Sequence, residues 1–585
     1  MYGKTWRTSE RKYEVIKETN IRITMSDGVD LDATVFRPDG EGSFPAILGY
    51  FPYDMHMQSA PIGVDSFSSV VFRHPNQEKA NASIESGDSE FYARRGYCHV
   101  LVNIRGTGNS EGRFAHLGSR ERRDGYETIE WIAAQDWCDG NVGMFGVSYF
   151  AFSQLHIAGE KPPHLKCIFA PWAATSMYHD GAYHGGILNY RFWKIWANAE
   201  LSRPRCECWC KENWSREEFE AAIIEKLADP EIAAEPDLVE ALKNPEAGVN
   251  AILVDIMLNP CFNEYWADRR VNYENIEIPA YIGCDWGHLG LHLPGAFRSW
   301  EKLKGPKKMI LAPPAYLDRP LYQLGNESLR WFDFWLKGID NGIMDEAPVK
   351  YWVNGTNSFR ETTDWPLPET KWTEFYLNEK GLMDEHEYRI HEGCTSYEDS
   401  PFKRGNIKFY TPVFVEDTEV TGPSSLTLYA SSTEDDALFL ASIWDVDAEG
   451  NETILTRGWL RASHRALVEE ESKPWKPVHP HLAPEKILPN EVYKYDIEIL
   501  PTGTLFPAGH RIMLQISSTD DKPNHSMEGL GVGHVRMQKG VRITVFHDAA
   551  HPSNLLLPIT KGNVLGTFRS GGFPYFNDVE KDERR

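Results

Sequence analysis

The stretch GMFGVSYFAF, residues 143–152, places Ser148 two residues after Gly146 and directly before residues that suit a helix. A serine on a sharp turn between a strand and a helix has its hydroxyl lifted clear of the sheet, where the oxygen can attack a carbonyl carbon. The G-x-S-x-G pattern of such turns reads Gly146-Val147-Ser148-Tyr149-Phe150 here, with the last glycine replaced. A serine that caps a helix N-terminus is the other reading of the same residues. A hydroxyl is a weak nucleophile at neutral pH, so chemistry at Ser148 requires a base and a group that orients the base.

Other groupings point to other chemistries. Cys206, Cys208 and Cys210 have C-x-C-x-C spacing, which could hold a soft metal, but zinc sites favour two to four residues between paired ligands and a second pair elsewhere. His288 and His292 have the i, i+4 spacing of helical zinc ligands, yet Gly287 and Gly290 weaken a helix there and the H-E-x-x-H glutamate is absent. RGTGNSEG, residues 105–112, is glycine-rich without the G-K-[ST] of a phosphate loop. No metal and no cofactor is expected. The acidic runs at 215–245 and 469–472 read as solvated faces.

The elements that must position Ser148 follow from pattern. IRITMSDGVDLDATVFRP reads as a hairpin around Asp27-Gly28; FPAILGYFPY and YCHVLVNIRG read as buried strands. A helix in RDGYETIEWIAAQDWC and the strand NVGMFG then lead to Ser148. Strand, helix, strand, turn, helix is the order of an α/β protein with a parallel sheet. Residues 161–275 hold aromatic runs and charged helical stretches and read as a helical insertion. The sheet resumes in 276–365 with IPAYIGC and KKMILAP. From 366 to 585, short alternating segments at turn-sized intervals indicate an all-β sandwich of jelly-roll type.

The bulk properties bound the setting. A chain of 585 residues exceeds one hydrophobic core and divides into domains. Its 61 Lys plus Arg against 85 Asp plus Glu leave a formal charge of −24, which repels phosphate backbones and anionic lipid. Neither nucleic acid nor a membrane is an expected partner. The charged N-terminal stretch lacks the apolar region of a secretory signal, and no run of 18 apolar residues occurs. Nine scattered cysteines fit free thiols, so a cytoplasmic location is expected.

Several stretches together carry a resemblance. They are Pro52-Tyr53-Asp54, RGTGNSEG, EWIAAQDWCDGNVGMFGVSY (130–149), LRWFDFWLKGIDNGIMDEAPV (329–349), LTRGWLRASHR (455–465) and FPAGHRIMLQISSTD (506–520). In this order they resemble the cocaine esterase, α-amino-acid ester hydrolase and X-prolyl dipeptidyl aminopeptidase group of serine hydrolases. The resemblance implies an α/β-hydrolase domain over 1–160 and 276–365, a helical cap over 161–275 and a C-terminal jelly roll over 366–585. It implies that Ser148 forms an acyl-enzyme, and that the Tyr53 hydroxyl and the Tyr149 amide hold the oxyanion. Two such donors aimed at developing negative charge are each worth about 3 kcal/mol of barrier.

The sequence also departs from that family. Its members carry the acid in a G-W-Y-D stretch, where this chain has Gly283-Cys284-Asp285-Trp286, and the histidine in G-P-W-x-H, where it has Ala312-Pro313-Pro314-Ala315-Tyr316. Asp285, His288 and His292 share one loop, so a histidine could act from the usual position of the acid. His292 is the first choice, as it leads directly into a helix; His288 is the second, and His184 in YHGGILNYRF the third. Asp285 or Asp318 would orient it. Tyr183, His184 and Tyr316 are expected to contact substrate, and Tyr190, Phe192, Trp193 and Trp196 suggest an apolar or aromatic acyl or alcohol group. The alternative is a site without its triad, which binds a ligand or catalyses rearrangement or transfer. Members of such families often self-associate, which leaves a homo-oligomer open.

Overall fold

The computed structural model describes residues 6–55, 82–83, 85–199, 201–314, 320–385, 393–521 and 532–562. The N-terminal part is organised by a ten-stranded sheet. Its strands are β1 (Glu14–Thr24), β2 (Asp30–Asp39), β3 (Phe44–Phe51), β4 (Cys98–Asn103), β5 (Cys138–Phe145), β6 (Leu165–Pro171), β7 (Ala280–Asp285), β8 (Lys307–Ala312), β9 (Val349–Val353) and β10 (Ser358–Thr362). They lie in the order β1-β2-β4-β3-β5-β6-β7-β8-β9-β10. Every pairing from β4 to β9 is parallel; β1, β2 and β10 close the two edges in antiparallel fashion.

The central strands read as unbroken apolar runs because helices cover both faces of a parallel sheet. All six residues of β4 and all six of β7 are buried. Helix α1 (Ser119–Ala133) packs on β5, and α2 (Tyr149–Ala158) is buried along its whole length against β6. That burial explains why YFAFSQLHIA has no polar stripe. The chain runs from β3 out to β4 and then back across β3 to β5, so the loops after β3 and β5 diverge at the carboxyl ends of adjacent strands. A crevice at such a reversal is where doubly wound sheets bind ligands.

One strand lies inside the stretch read as a helical insertion. LKCIFAP forms β6, between β5 and β7; a seven-residue apolar run has no period that separates strand from buried helix. The segment from Trp172 to Pro279 then carries a short strand pair (Tyr183–His184 with Ile187–Leu188) and several helices, among them α3 (Arg191–Ala199). Within it, SREE builds a capping box. The Glu218 amide donates to Ser215 Oγ at 3.2 Å, and the Ser215 amide donates to the Glu218 carboxylate at 2.9 Å. After β7 the chain continues through α4 (Leu293–Lys302) and α5 (Pro320–Lys337).

Between Thr362 and Lys371 the chain changes sheets. The C-terminal part forms an eleven-stranded, almost wholly antiparallel sheet system from Lys371 to Lys561, with its own core around Phe375, Leu426, Leu514 and Ile543. Leu438, Trp459, Val532 and Val535 instead join the core of the N-terminal part, so the two packed regions meet over apolar surface. No helix among the described residues is long and apolar enough to cross a membrane.

Candidate active site

Ser148 follows β5 and caps α2 with φ 56° and ψ −126°. A non-glycine residue in this region is strained and persists where its surroundings impose it. The imposing neighbour is Phe150, the residue in place of the expected second glycine. Its ring stacks on Phe51 of β3 with centroids 4.6 Å apart, and its Cβ fills the space that a side chain at Gly146 would need. Gly146 has φ 142°, so the first glycine of the motif is required and the second is dispensable. Gln154 fastens the turn from below, donating to the Gly146 carbonyl at 3.0 Å and accepting from the Phe169 amide of β6 at 3.0 Å.

Tyr53 follows β3 and is 5% exposed. Its backbone carbonyl accepts from Asn103 Nδ2 at 2.7 Å, and the Asn103 carbonyl accepts from Ser110 Oγ at 2.7 Å. Gly108 (φ 52°) lies against the Asn103 side chain with no room for a Cβ. Arg105 locks the same loop to α1 through two bonds to Asp124, at 2.7 and 2.9 Å. RGTGNSEG is thus a brace that sets the height of Tyr53. The Tyr53 hydroxyl accepts from Trp196 Nε1 of α3 at 3.2 Å, and its ring is edge-on to Tyr149 at 6.4 Å.

Tyr149 offers its backbone N–H at the start of α2 while its side chain is anchored. Its hydroxyl donates to the Glu121 carboxylate at 3.0 and 3.1 Å, and its ring stacks on Trp196 at 5.9 Å. Glu121 also accepts from the Leu117 amide at 2.8 Å. Burial pushes the Glu121 carboxyl up to about 7, against the pull of these hydrogen bonds. His116, with its ring 5.2 Å from Trp193, 5.7 Å from Trp196 and 6.0 Å from Tyr149, completes an aromatic wall. Its imidazole is lowered to about 3 by burial and by Arg269. The sequence reading missed Glu121 and His116: neither sits in a motif, and only the packing of α1 and its preceding loop under Tyr149 brings them here.

The end of β7 supplies a carboxylate–imidazole pair. His288 Nδ1 donates to Asp285 Oδ2 at 2.7 Å, and Trp172 Nε1 donates to the same oxygen at 3.0 Å. Oδ1 accepts the amides of Gly287 at 2.7 Å and His288 at 3.1 Å. Burial raises the Asp285 carboxyl, but the charge and hydrogen bond of His288, with the Trp172 and Gly287 bonds, outweigh it and leave the pKa lowered. With Nδ1 donating to the carboxylate, Nε2 is the second ring nitrogen of His288. That atom is buried and has no hydrogen-bond partner among the described residues.

His292 is differently placed. Its amide donates to the His288 carbonyl at 3.2 Å, while its ring lies 5.5 Å from Phe152 and 5.6 Å from His288. Its Nδ1 is buried without a hydrogen-bond partner among the described residues, and burial together with the charge of His288 holds its pKa well below the ordinary value. The sequence reading ranks His292 first, but the carboxylate belongs to His288. Three residues after Asp285 the ring folds back onto the strand end; His292 is already the residue that caps α4. Since Phe152 donates its amide to the Ser148 carbonyl at 3.0 Å, this loop packs against the first turn of the helix that Ser148 begins.

The remaining expected residues are engaged elsewhere or lie outside the described chain. The Tyr183 hydroxyl donates to the Ile256 carbonyl at 3.0 Å, and its ring stacks on Tyr178 at 5.1 Å. His184 uses both ring nitrogens, for His534 at 2.9 Å and for the carbonyls of Asp180 and Gly290 at 3.1 Å each. Both side chains are buried, and the strand pair that bears them lies between the helices and the C-terminal domain. Tyr316 and Asp318 lie outside the described residues. Burial pushes the thiols of Cys206, Cys208 and Cys210 up, the first to about 12, and Cys208 Sγ donates to Asp255 at 3.4 Å.

The chain is similar to several known proteins. Residues 27–316 match the X-Pro dipeptidyl-peptidase (S15) family, and residues 341–556 match the X-Pro dipeptidyl-peptidase C-terminal non-catalytic domain. Cocaine esterase from Rhodococcus sp. (strain MB1 Bresler) is 26% identical, over 93% of this chain and 98% of that protein. The crystal structure of a CocE/NonD family hydrolase from Staphylococcus aureus superposes with a TM-score of 0.78 at 25% identity and covers 94% of both chains. An α-amino acid ester hydrolase shares the fold, with a TM-score of 0.69 at 16% identity over 96% of this chain and 99% of that one. With a strained serine elbow at the end of β5 and both parts of the chain matched, this protein belongs to the X-Pro dipeptidyl-peptidase (S15) family of serine hydrolases and carries that family's C-terminal non-catalytic domain.

Proposed function

We propose that the chain cleaves an ester, or an amide, of a small apolar or aromatic substrate through an acyl-enzyme on Ser148, with His288 as the base and Asp285 as its orienter. The observation that carries this reading is the 2.7 Å bond from His288 Nδ1 to Asp285, which leaves Nε2 as an acceptor without a partner among the described residues. In the reading, Ser148 Oγ attacks the carbonyl carbon and passes its proton to His288 Nε2, and Asp285 balances the imidazolium. The Tyr53 hydroxyl and the Tyr149 amide bind the oxyanion. The proton then goes to the leaving oxygen or nitrogen, and water repeats the sequence to release the acid. β5 and β7 are separated by β6 alone, a span of about 10 Å that the two side chains and one hydrogen bond can bridge.

Trp193, Trp196, Phe114 and His116 beside Tyr53 and Tyr149 support an apolar or aromatic acyl or alcohol group. We read the helical insertion as a cap over this wall and the C-terminal domain as a jelly roll. Nine free cysteines support a reducing, cytoplasmic setting. Tyr316, in place of the family's histidine, keeps a second reading in view: a pocket that binds or rearranges its ligand without hydrolysis. The two separate on intact-mass analysis after treatment with a fluorophosphonate. Labelling of wild type that is lost in Ser148→Ala and His288→Ala, and kept in His292→Ala, supports the hydrolase. A folded wild type that takes no label, together with ligand binding without turnover, sinks it.

A further inference from the structure

A second chain of titratable groups reaches the loop of His288 from the opposite side. It begins in the C-terminal domain at Asp520, whose carboxylate accepts from His534 Nδ1 at 2.9 and 3.1 Å and from the His534 amide at 2.9 Å. His534 Nε2 and His184 Nδ1 are 2.9 Å apart. His184 Nε2 faces two carbonyl oxygens, those of Asp180 and Gly290, each at 3.1 Å. Carbonyls only accept, so His184 Nε2 carries a proton; His534 Nδ1, facing an ionised carboxylate, carries another. A third lies between the two rings, since two lone pairs would repel at that distance. The pair therefore holds three protons on four nitrogens, one positive charge, and Asp520 neutralises it.

The surroundings are built for this chain. Trp459 stacks on His184 at 4.7 Å, and Gly185 has no room for a Cβ against the Trp459 carbonyl. The Val535 amide donates to the Leu188 carbonyl at 3.0 Å, and the Gly533 amide donates to Asn189 Oδ1 at 2.8 Å. Arg457 and Asp521 flank Asp520; Asp180 is paired with Arg298. Burial and the neighbouring His534 lower His184 to about 3, in keeping with its being the neutral member. Gly290 lies midway between His288 and His292, so the far end of the chain holds the stretch of loop that connects them.

We propose that Asp520, His534 and His184 are positioning residues of the hydrolytic reaction: a hydrogen-bonded chain from the C-terminal domain to the Gly290 carbonyl that sets the loop bearing His288. This inference rests on the reading of Ser148 and His288 given above. It makes the domain matched as non-catalytic a structural participant in the site. Replacing Asp520 by Ala removes the acceptor of both the ring and the amide of His534, so the ring is no longer held against His184.

The test measures the rate at which a fluorophosphonate labels Ser148, by intact mass, in folded wild type and in Asp520→Ala, His184→Leu, His184→Gln and Lys476→Ala. Displacement of a catalytic group by about 1 Å costs on the order of 100-fold, so Asp520→Ala and His184→Leu are expected to label 10- to 100-fold more slowly, taken as order-of-magnitude values on that scale. His184→Gln keeps an N–H for the Gly290 carbonyl and is expected to stay within about threefold of wild type on the same scale. Lys476→Ala removes an ion pair between the C-terminal domain and Glu301 of α4 without touching the chain and is expected to label at the wild-type rate. Equal rates in all variants, equal losses in His184→Gln and His184→Leu, or an equal loss in Lys476→Ala each overturn the inference while the hydrolase reading stands. A wild type that takes no label, or label that persists in Ser148→Ala, overturns both.

Discussion

Replacing Asp285 by Asn probes the centre of the proposed site. The carboxylate accepts four donors: Trp172 Nε1 and His288 Nδ1 on Oδ2, and the amides of Gly287 and His288 on Oδ1. An amide has one acceptor oxygen. If it faces the two backbone amides, the NH2 group meets the Trp172 N–H and forces His288 Nδ1 to accept, which moves the ring proton to Nε2. If it faces Trp172 and His288, the NH2 group meets two backbone donors. Each buried donor that loses its acceptor costs about 1–3 kcal/mol, so the first arrangement should cost about 1–3 kcal/mol of stability and the second about 2–6. In the first arrangement the tautomer is wrong for a base, a change that costs about 10⁴-fold in rate in triads of this kind. The assay is thermal unfolding followed by fluorophosphonate labelling of the folded fraction. Labelling at the wild-type rate in a folded Asp285→Asn would refute the assignment of the base.

Three further outcomes are expected. Tyr53→Phe should lower kcat about 10²- to 10³-fold with KM little changed, the cost of one oxyanion donor, and steady-state kinetics on an activated ester reads it; a larger change in KM than in kcat would place Tyr53 in ground-state binding. Glu121 is raised from its usual 4.5 to about 7 by burial, so its protonated form favours the fold: the contribution is full below about pH 4.5 and is lost as pH rises to about 7, a change of about 3 kcal/mol. Glu121→Gln should be free of that loss, and unfolding measured for both proteins at the two ends of the window would show parallel curves if Glu121 does not titrate there. Gly146→Ala, with a Cβ driven into Phe150 at φ 142°, should cost several kcal/mol, on the order of other overpacked sites, and appear as a lowered unfolding temperature; an unchanged one would mean the turn can open.

Much of the fold is legible in the sequence. The alternation of strand and helix through residue 150 led to a parallel sheet, and G-V-S-Y-F led to a serine on a turn, because both follow from local periodicity and from the space around a glycine. The strand LKCIFAP was not legible, since a short apolar run has no period that tells its state. The rank order of His288 and His292 was also out of reach: spacing along a loop says nothing of which ring bends back to a carboxylate.

By itself the sequence determined the order of elements, the strained serine and the set of residues from which a base could come. The tertiary structure alone decided which partners they meet. It put Glu121 under Tyr149, Trp172 and His288 on Asp285, and Asp520 within reach of the loop that bears His288 through His534 and His184. The reason is physical. Periodicity, turn chemistry and helix capping act over a few residues and are written in neighbouring letters, whereas a buried hydrogen bond between residues hundreds apart exists only when packing has removed water and left each polar atom a single partner.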